Sequence, residues 1–441
     1  MKSARRIAYD VLYKVYRDSS YSNIALDAAL EEEQPDNKDR AFISMLVYGV
    51  TERTITLDYQ LERYLAQPLK KLKPQVLVIL RIGTYQILFA DKVPSSAAVN
   101  ESVKLSKQCG CAFASGLINA VLRKVAANGL CLPDENDKLS YYSIKYSCPE
   151  WMIELWQESY GTQNALKICE ASNGSVPTVL RANTLKTSAS ELKDILSAEG
   201  VDCAVSKSVE NALEVSLHGS LRSLDSYKKG LFHVQDIASQ LCVKALDQKE
   251  GERVLDICSA PGGKAFTAAE YMNNKGLITA CDIYEHRLKL INDSAERLGI
   301  DVIETMQNDA SVFNEKLSKY DKILCDVPCS GLGIIRRKPE IRFKKAQEVD
   351  KLPKIQYSIM KTASLYLKKG GVMVYSTCSL NVDENENILK KFLSEHPDFE
   401  SVEVLPDKPR YGEKTDYLTL MPHIHFSDGF FISAVRRRSD D

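Results

Sequence analysis

The segment "RVLDICSAPGGK", residues 253–264, determines how the second half of the chain is interpreted. Its apolar run predicts a buried strand, and Gly262 and Gly263 follow at the point where a helical pattern begins. Glycine permits positive φ angles and a close approach of the backbone to a ligand. The segment matches neither GxxxxGK[ST] nor GxGxxG, so it does not indicate a phosphate-binding loop or a dinucleotide fingerprint.

Strand and helix patterns alternate over the whole region from residue 231 to residue 441. Strand patterns at "LITACD" (277–282), "KILCDV" (322–327) and "GVMVYS" (371–376) are separated by helical patterns, and "FFISAV" (430–435) closes the series. This alternation predicts an α/β fold with a doubly wound sheet. Ligands of such sheets bind beyond the carboxyl ends of the strands, where the strand order reverses.

The first 130 residues have a different pattern and predict an all-helical domain. Apolar residues recur at helical spacing in "ARRIAYDVLYKVY" (4–16) and "DRAFISMLVYGV" (39–50). Residues 1–130 contain 18 Lys and Arg against 13 Asp and Glu, although the whole chain has a net charge of −1. This excess of positive charge permits an anionic partner such as RNA.

Residues 131–230 predict a small α/β linker domain that could also take part in RNA recognition. "TVLRANTLK" (178–186) is typical of a strand. A helix should follow it, beginning at a capping box from Ser188 to Glu191 and ending at Gly200.

Composition indicates a cytoplasmic protein without a metal site. The most apolar segment, residues 75–90, is short and contains Arg81, so no membrane span is expected. The N-terminus has no apolar signal core, and the twelve cysteines form no CxxC pair and no zinc pattern. The thiols should therefore be reduced, and a cysteine beside a motif becomes a candidate reagent.

Acidic residues follow the next two predicted strands, "LITACD" (277–282) and "DVIETM" (301–306). Asp282, 19 positions after Gly263, is suited to accept both hydroxyls of a ribose, and Asp309 could accept an adenine amino group. Each feature alone is as often structural, since an Asp at a strand end commonly caps a helix. Together, however, these features follow successive strands of one sheet, and the sequence has no phosphate-binding loop motif there. This combination favours S-adenosylmethionine over a dinucleotide as the cofactor.

Three segments resemble the motifs of one enzyme family. "DICSAPGGK" (256–264), "CDVPCSGLG" (325–333) and "YSTCS" (375–379) are similar to those of the RNA 5-methylcytosine methyltransferases, which include the Nol1/Nop2/Sun enzymes. The resemblance extends to "RANTLK", "FHVQDIASQL" and "DGFFISAV". The helical region, with "RAFISMLVYGV" and "GLINAVLRKV", is similar to the NusB antitermination factor.

The resemblance implies three parts: a NusB-like domain (1–130), the linker domain (131–230) and a Rossmann-like class I methyltransferase domain (231–441). A fusion of this kind implies methylation of a cytosine in 16S ribosomal RNA, with the target base unstacked or flipped. We expect a monomer.

The resemblance also implies roles for the thiols. Cys378 would add to C6 of the cytosine, which makes C5 electron-rich, and Cys329 would assist release of the product. DNA cytosine methyltransferases attack with the thiol that corresponds to Cys329, so the reverse assignment stays open. Asp326 would face the N3/N4 edge of the base, and Lys264 is a candidate cation beside the thiols. The residues expected to bind the cofactor are Cys258, Ser259, Ala260, Pro261, Gly262, Gly263, Lys264, Asp282, Asp309 and Asp326.

The basic run "RRKPEIRFKK" (336–345) follows the Cys329 motif directly. Such a run is commonly a solvated face, but beside the predicted site we expect it to contact phosphates. Three alternatives remain: another RNA such as tRNA as substrate, methylation of protein or DNA, and a non-catalytic RNA-binding factor.

Overall fold

The computed structural model describes residues 2–18, 20–174, 176–216, 220–412 and 415–439. The chain forms two compact units, Met1–Ser175 with Ile335–Lys344, and Val176–Ile334 with Lys345–Asp441. The first unit thus continues beyond residue 130 and takes up ten residues from the second half of the sequence. The three domain ranges expected from the sequence stay a prediction.

The first unit is helical, as the apolar periodicity predicts. Apolar side chains from its first seven helices, most of them aliphatic, form one core cluster. The nine helices of this unit within the described residues are α1 (Ala4–Asp18), α2 (Ser22–Glu33), α3 (Asn37–Glu52), α4 (Thr54–Glu62), α5 (Pro74–Phe89), α6 (Ser95–Gln108), α7 (Ser115–Asn128), α8 (Lys138–Tyr146) and α9 (Glu150–Ala171). The last helix is interrupted at Gly161, whose φ is +76°. Among the described residues, no helix combines the length and the apolar character that a membrane span requires.

The segment Ile335–Lys344, which contains most of the basic run, packs within this helical unit. Arg342 is buried, and its guanidinium donates to the carbonyl oxygen of Ser172 and to Oδ1 of Asn173. Glu340 accepts hydrogen bonds from the backbone N–H and the hydroxyl of Ser22. The expectation that the whole run contacts phosphates is therefore wrong for Arg342, because its charge is used to hold the end of α9.

The second unit begins with a small antiparallel sheet. Its strands are β1 (Thr178–Ala182), β2 (Asp202–Val205), β3 (Ala212–Ser216) and β4 (Phe232–Val234), in the order β2-β3-β1-β4. Helix α10 (Ala189–Ala198) begins with the predicted capping box between Ser188 and Glu191. The predicted strand over 178–186 ends at Ala182, because Asn183 starts a turn by accepting the N–H of Leu185.

The rest of the second unit contains the predicted doubly wound sheet. Its strands are β5 (Arg253–Asp256), β6 (Leu277–Asp282), β7 (Ile303–Gln307), β8 (Tyr320–Asp326), β9 (Leu367–Thr377), β10 (Phe399–Val402), β11 (Tyr417–Leu420) and β12 (Phe430–Arg437). The order is β10-β12-β9-β8-β5-β6-β7, and β11 pairs with β12. Strands β5 to β9 are parallel to their neighbours in that group, whereas β12 is antiparallel to β9. The chain order reverses between β5 and β8, so the loops after these two strands meet at one edge.

The remaining helices of the second unit include those that cover both faces of this sheet. They are α11 (Asp225–Lys228), α12 (Ile237–Leu246), α13 (Gly263–Tyr271), α14 (Glu285–Leu298), α15 (Ala346–Val349), α16 (Leu352–Ser364), α17 (Glu386–Glu395) and α18 (Pro422–His425). Alternate strand residues enter two separate cores: Val254 and Leu324 belong to one, and Leu255 and Ile323 to the other. Continuous apolar strands are expected for a sheet that is covered on both sides.

A buried ion pair joins the small sheet to the doubly wound sheet. Arg181 on β1 and Glu270 on α13 are both fully buried, and Nε of the arginine lies 2.6 Å from a carboxylate oxygen of the glutamate. The guanidinium also donates to Oε1 of Gln240. Burial raises the pKa of Glu270 to about 7 despite the arginine. The arginine of "RANTLK" therefore has a structural role.

We expect Arg181→Ala to reduce the free energy of unfolding by about 3–5 kcal/mol, because it leaves the Glu270 carboxyl buried without its partner. Arg181→Met combined with Glu270→Met should recover most of this loss. Lys228→Ala removes a cation from the exposed pair with Asp225 and should change stability by no more than about 0.5 kcal/mol. Urea unfolding of the four proteins measures these differences, and equal values for Arg181→Ala and Lys228→Ala would contradict the role of the buried pair.

Candidate active site

Two cysteine loops meet at the carboxyl edge of the sheet. Cys329 lies in the loop that follows β8, residues 327–333, and Cys378 in the loop that follows β9, residues 378–385. Their sulfur atoms are 3.1 Å apart. Both side chains are partly exposed and neither is disulfide-bonded, so a ligand at this edge can reach them. The two thiols that the sequence singled out are thus brought together.

A buried carboxylate holds the two loops against each other. Glu384 accepts hydrogen bonds from the backbone N–H and the hydroxyl of Ser330 in the first loop. It accepts another from the hydroxyl of Ser379 in the second loop and one from the amide of Gln356 on α16. That amide also donates to the carbonyl oxygen of Pro328. Because Glu384 is fully buried, these four donors replace water around its charge.

Backbone contacts complete the connection between the loops. Gly333 donates its N–H to the carbonyl oxygen of Cys378, and its own carbonyl oxygen accepts the N–H of Gly429. A Cβ on Gly333 would lie 1.9 Å from the Gly429 carbonyl oxygen. Only glycine permits this close approach of the two chains.

Asp326 and Lys264 form an ion pair beside this edge. Lys264 Nζ lies 2.7 Å from Oδ2 of Asp326, and the hydroxyl of Ser376 donates to Oδ1 of the same carboxylate at 2.7 Å. Burial alone lowers the pKa of Lys264, but the charge of Asp326 raises it above its ordinary value. The lysine therefore remains a cation at neutral pH.

The segment Cys258–Gly263 forms the predicted turn between β5 and α13. The N–H of Ser259 donates to the carbonyl oxygen of Cys281 on β6, and the N–H of Gly262 donates to the carbonyl oxygen of Ser259. Gly262 has a φ of +101°, and a Cβ there would lie 2.5 Å from the Phe266 ring. The turn therefore requires glycine at this position and places Ala260 and Pro261 at its tip.

Two polar side chains under this turn have no hydrogen-bond partner among the described residues. Asp256 at the end of β5 is fully buried, and both of its carboxylate oxygens are unpaired. The Ser259 hydroxyl is likewise buried and unpaired. Burial raises the pKa of Asp256 to about 7. Such orphaned groups are suited to bind the polar part of a ligand.

The two acidic residues predicted to bind a nucleoside follow neighbouring strands. Asp282 ends β6, and its Oδ1 accepts a hydrogen bond from the N–H of Tyr284. Its Oδ2 lies 3.8 Å from a guanidinium nitrogen of Arg287. Asp309 lies in the loop after β7, is exposed, and accepts hydrogen bonds from the N–H and the hydroxyl of Ser311. Both lie at the same edge as the turn Cys258–Gly263, while their contacts to a cofactor stay a prediction.

The surroundings of Cys329 favour its protonated form. The hydrogen bond with the Cys378 sulfur, together with burial and the nearby carboxylates of Glu384 and Asp326, raises the pKa of Cys329 well above its ordinary value. Cys329 therefore retains its proton at neutral pH and can donate it toward Cys378.

The sequence did not reveal Glu384, Gln356 or Asp256 as part of this site. Glu384 lies in "NVDENEN" (381–387), which has the composition of a solvated acidic loop, so no local pattern distinguishes it. The described residues contain no group of three or more His, Cys, Asp or Glu side chains arranged to hold a metal ion.

We expect Glu384→Gln to separate the two thiols. The glutamine amide group would place N–H donors against the hydroxyls of Ser330 and Ser379, which are themselves donors to this position, so the hydrogen bonds that hold the two loops together would be lost. Dibromobimane bridges neighbouring thiols, and its fluorescence should develop at least about tenfold more slowly in this variant. Mass spectrometry of the bridged peptide identifies the Cys329–Cys378 product. The control is Asp383→Asn, which removes the same charge from the exposed neighbouring residue and should react with dibromobimane as fast as the unmodified chain. An unchanged reaction rate in Glu384→Gln would contradict the role of the carboxylate.

Comparisons with known proteins cover the whole chain. The family model described as 16S rRNA methyltransferase RsmB/F matches residues 243–436, the NusB family model matches 2–127, and an RsmF/B-like ferredoxin-like domain matches 148–221. The crystal structure of the protein PH0851 is 25% identical, with a TM-score of 0.86 over 99% of both chains. A methyltransferase homolog protein from Pyrococcus horikoshii is 27% identical, with a TM-score of 0.60 over 68% of this chain and 99% of its own. The fold is therefore that of a Rossmann-like methyltransferase with a helical NusB domain and a ferredoxin-like domain.

Similar proteins of known sequence align with this chain over nearly their whole length. The probable ribosomal RNA small subunit methyltransferase B of Bacillus subtilis is 36% identical over 99% of both chains. The corresponding probable methyltransferase of Synechocystis is 33% identical over 99% of this chain and 100% of its own. With this identity over its full length, the chain belongs to the ribosomal RNA small subunit methyltransferase B family.

Proposed function

We propose that this protein transfers a methyl group from S-adenosylmethionine to C5 of a cytosine in 16S ribosomal RNA, through a covalent bond between Cys378 and C6 of the base. The observation that carries the proposal is the pair of thiols at 3.1 Å, at the edge of the sheet where the strand order reverses. The names of the full-length relatives support ribosomal RNA as the substrate.

Residues of this chain fit S-adenosylmethionine, which supplies the methyl group as an electrophilic sulfonium. The unpaired carboxylate of Asp256 and the unpaired hydroxyl of Ser259 can accept hydrogen bonds from its amino-acid part. The Cys258–Gly263 turn and Lys264 would lie against the same part, because glycine at 262 permits close approach. Asp282 would bind the ribose hydroxyls, and Asp309 the adenine amino group.

Covalent attachment solves the chemical problem that C5 of cytosine is a weak nucleophile. The Cys378 thiolate forms a bond to C6, and the electron pair of the C5–C6 double bond becomes available at C5. After C5 has accepted the methyl group, a base removes the C5 proton. The C5–C6 double bond then forms again, and the bond to sulfur breaks. This sequence replaces one difficult step with easier ones.

The surroundings of Cys329 support Cys378 as the nucleophile, because a thiol that keeps its proton is a weak nucleophile. Cys329 retains its proton because its pKa is raised by the hydrogen bond with Cys378, by burial and by nearby carboxylates. A protonated Cys329 that donates toward Cys378 stabilises negative charge on the Cys378 sulfur. After methylation, Cys329 is placed to assist departure of that sulfur.

Asp326 and Lys264 would act at the pyrimidine ring. Negative charge develops on N3 when sulfur adds to C6, and a proton donor at N3 stabilises it. Lys264 keeps its own proton beside Asp326, and its positive charge can stabilise the negative charge that develops on the ring. Ser376 holds the other carboxylate oxygen of Asp326, so the hydrogen bonds fix the position of the ion pair.

The helical unit would bind and position the RNA. Residues 1–130 contain 18 Lys and Arg against 13 Asp and Glu, and positive charge favours the phosphate backbone. Arg342 is excluded from this role because it is buried.

We expect Cys378→Ala to reduce methyl transfer by about 10³-fold or more, because no other group adds to C6. Binding of S-adenosylmethionine should persist. Incorporation of labelled methyl groups into unmodified 16S ribosomal RNA measures the rate, and calorimetry measures cofactor binding. Cys203→Ala, which removes a thiol from the small sheet, should retain full activity; substantial activity in Cys378→Ala would refute the covalent mechanism.

In Cys329→Ala, release of the product should fail while addition by Cys378 continues. We therefore expect a covalent protein–RNA adduct, visible as a band of reduced mobility in a denaturing gel. The adduct should disappear when Cys378→Ala is added to the same chain. If the adduct instead forms in Cys378→Ala and disappears when Cys329 is also replaced, the assignment of the two thiols is reversed.

A further inference from the structure

One aromatic side chain, in a segment at the edge of the sheet that carries the thiols, is almost completely exposed. Phe426 follows α18 directly and has an exposed fraction of 81%, the highest among the large apolar side chains of the described residues. Exposing an aromatic ring to water is unfavourable, so such a ring is a candidate for contact with a ligand.

The backbone holds this ring in a strained position. Phe426 has φ 52° and ψ 31°, the left-handed region that bulky residues rarely adopt. The residues around it are fixed: His425 accepts the N–H of Met421 through Nδ1, and Ser427 and Asp428 are buried. Strain of this kind in an otherwise ordered segment is concentrated at functional sites.

The ring belongs to the same edge of the sheet as the thiols. Three residues beyond Phe426, the N–H of Gly429 donates to the carbonyl oxygen of Gly333, which in turn donates its N–H to the carbonyl oxygen of Cys378. The next residue, Phe430, has its ring centroid 5.5 Å from Lys264 Nζ. Two backbone hydrogen bonds therefore connect the segment that carries Phe426 to the proposed nucleophile.

We propose that Phe426 is a positioning residue that stacks on a nucleobase next to the target cytosine in the RNA. The inference rests on the proposed function and extends it to the neighbouring nucleotide. A thiol reaches C6 only when the cytosine leaves its stack, which uncovers the face of an adjacent base. An exposed aromatic ring can cover that face, and stacking of this kind accepts any base.

The test compares three variants in methyl transfer to an RNA fragment that contains the modified cytosine. Phe426→Ala should lower kcat/KM for RNA by about tenfold and leave the affinity for S-adenosylmethionine unchanged. Phe426→Trp should retain the activity, because an indole also stacks. The matched control is Leu365→Ala, which removes an apolar side chain of 48% exposure just before β9, at the opposite edge of the sheet, and should have no effect.

A double-mutant cycle distinguishes stacking from a general structural effect. The RNA fragments carry an abasic nucleotide on either the 5′ or the 3′ side of the target. At one of these positions, removing the base should lower kcat/KM of the unmodified chain about as much as Phe426→Ala lowers it on intact RNA. When both changes are combined at that position, kcat/KM should fall no further. Additive losses of kcat/KM at both positions, or full activity of Phe426→Ala, would overturn the stacking role of Phe426. The proposed function would still stand if the unmodified chain transfers methyl groups. Absence of methyl transfer by the unmodified chain would overturn both.

Discussion

The geometry of this site depends on the burial of one carboxylate. Glu384 is fully enclosed, and its charge is stabilised by four hydrogen bonds that come from the two cysteine loops and from α16. A buried charge is stable only while all of its donors stay in place. The loops are therefore coupled: neither can move away from the other without exposing an unsatisfied charge. The short distance between the sulfur atoms is a consequence of this constraint.

Chain topology brings these loops to the same place. The strand order reverses between β5 and β8, so the turn after β5 and the loop after β8 open toward a common crevice. β9 adds the Cys378 loop beside them, and the antiparallel β12 begins at the same edge, since Phe431 pairs with Thr377. Residues far apart in the sequence thus become neighbours. The cofactor-binding and thiol-bearing segments are adjacent because they leave adjacent strands.

Much of this arrangement could be predicted where the local sequence determines the structure. The capping box at Ser188 and the glycine turn at 262 and 263 were predictable, because each is fixed by interactions within a few residues. The pairing of Cys329 with Cys378 followed from the family resemblance. The short edge strands β10 and β11 have too few alternating residues to be recognised.

Tertiary packing determined what the sequence could not reveal. Arg342 and Glu384 both lie in charged runs that are typical of solvated loops, yet both are buried. Nothing in their neighbours along the chain predicts this, since most of their partners are distant in sequence. The roles of the cofactor-binding residues and the monomeric state stay predictions.

The placement of Ile335–Lys344 has a consequence for biosynthesis. The helical unit includes this segment, through Arg342 at the end of α9 and Glu340 at the start of α2. During translation the unit therefore lacks its last element until residue 344 has left the ribosome, after strands β5 to β8 have been made. An amino-terminal fragment that stops before the sheet would leave the carbonyl oxygen of Ser172 without the arginine that binds it. The helical unit therefore has its own core, but it can be completed only after part of the second unit has been synthesised.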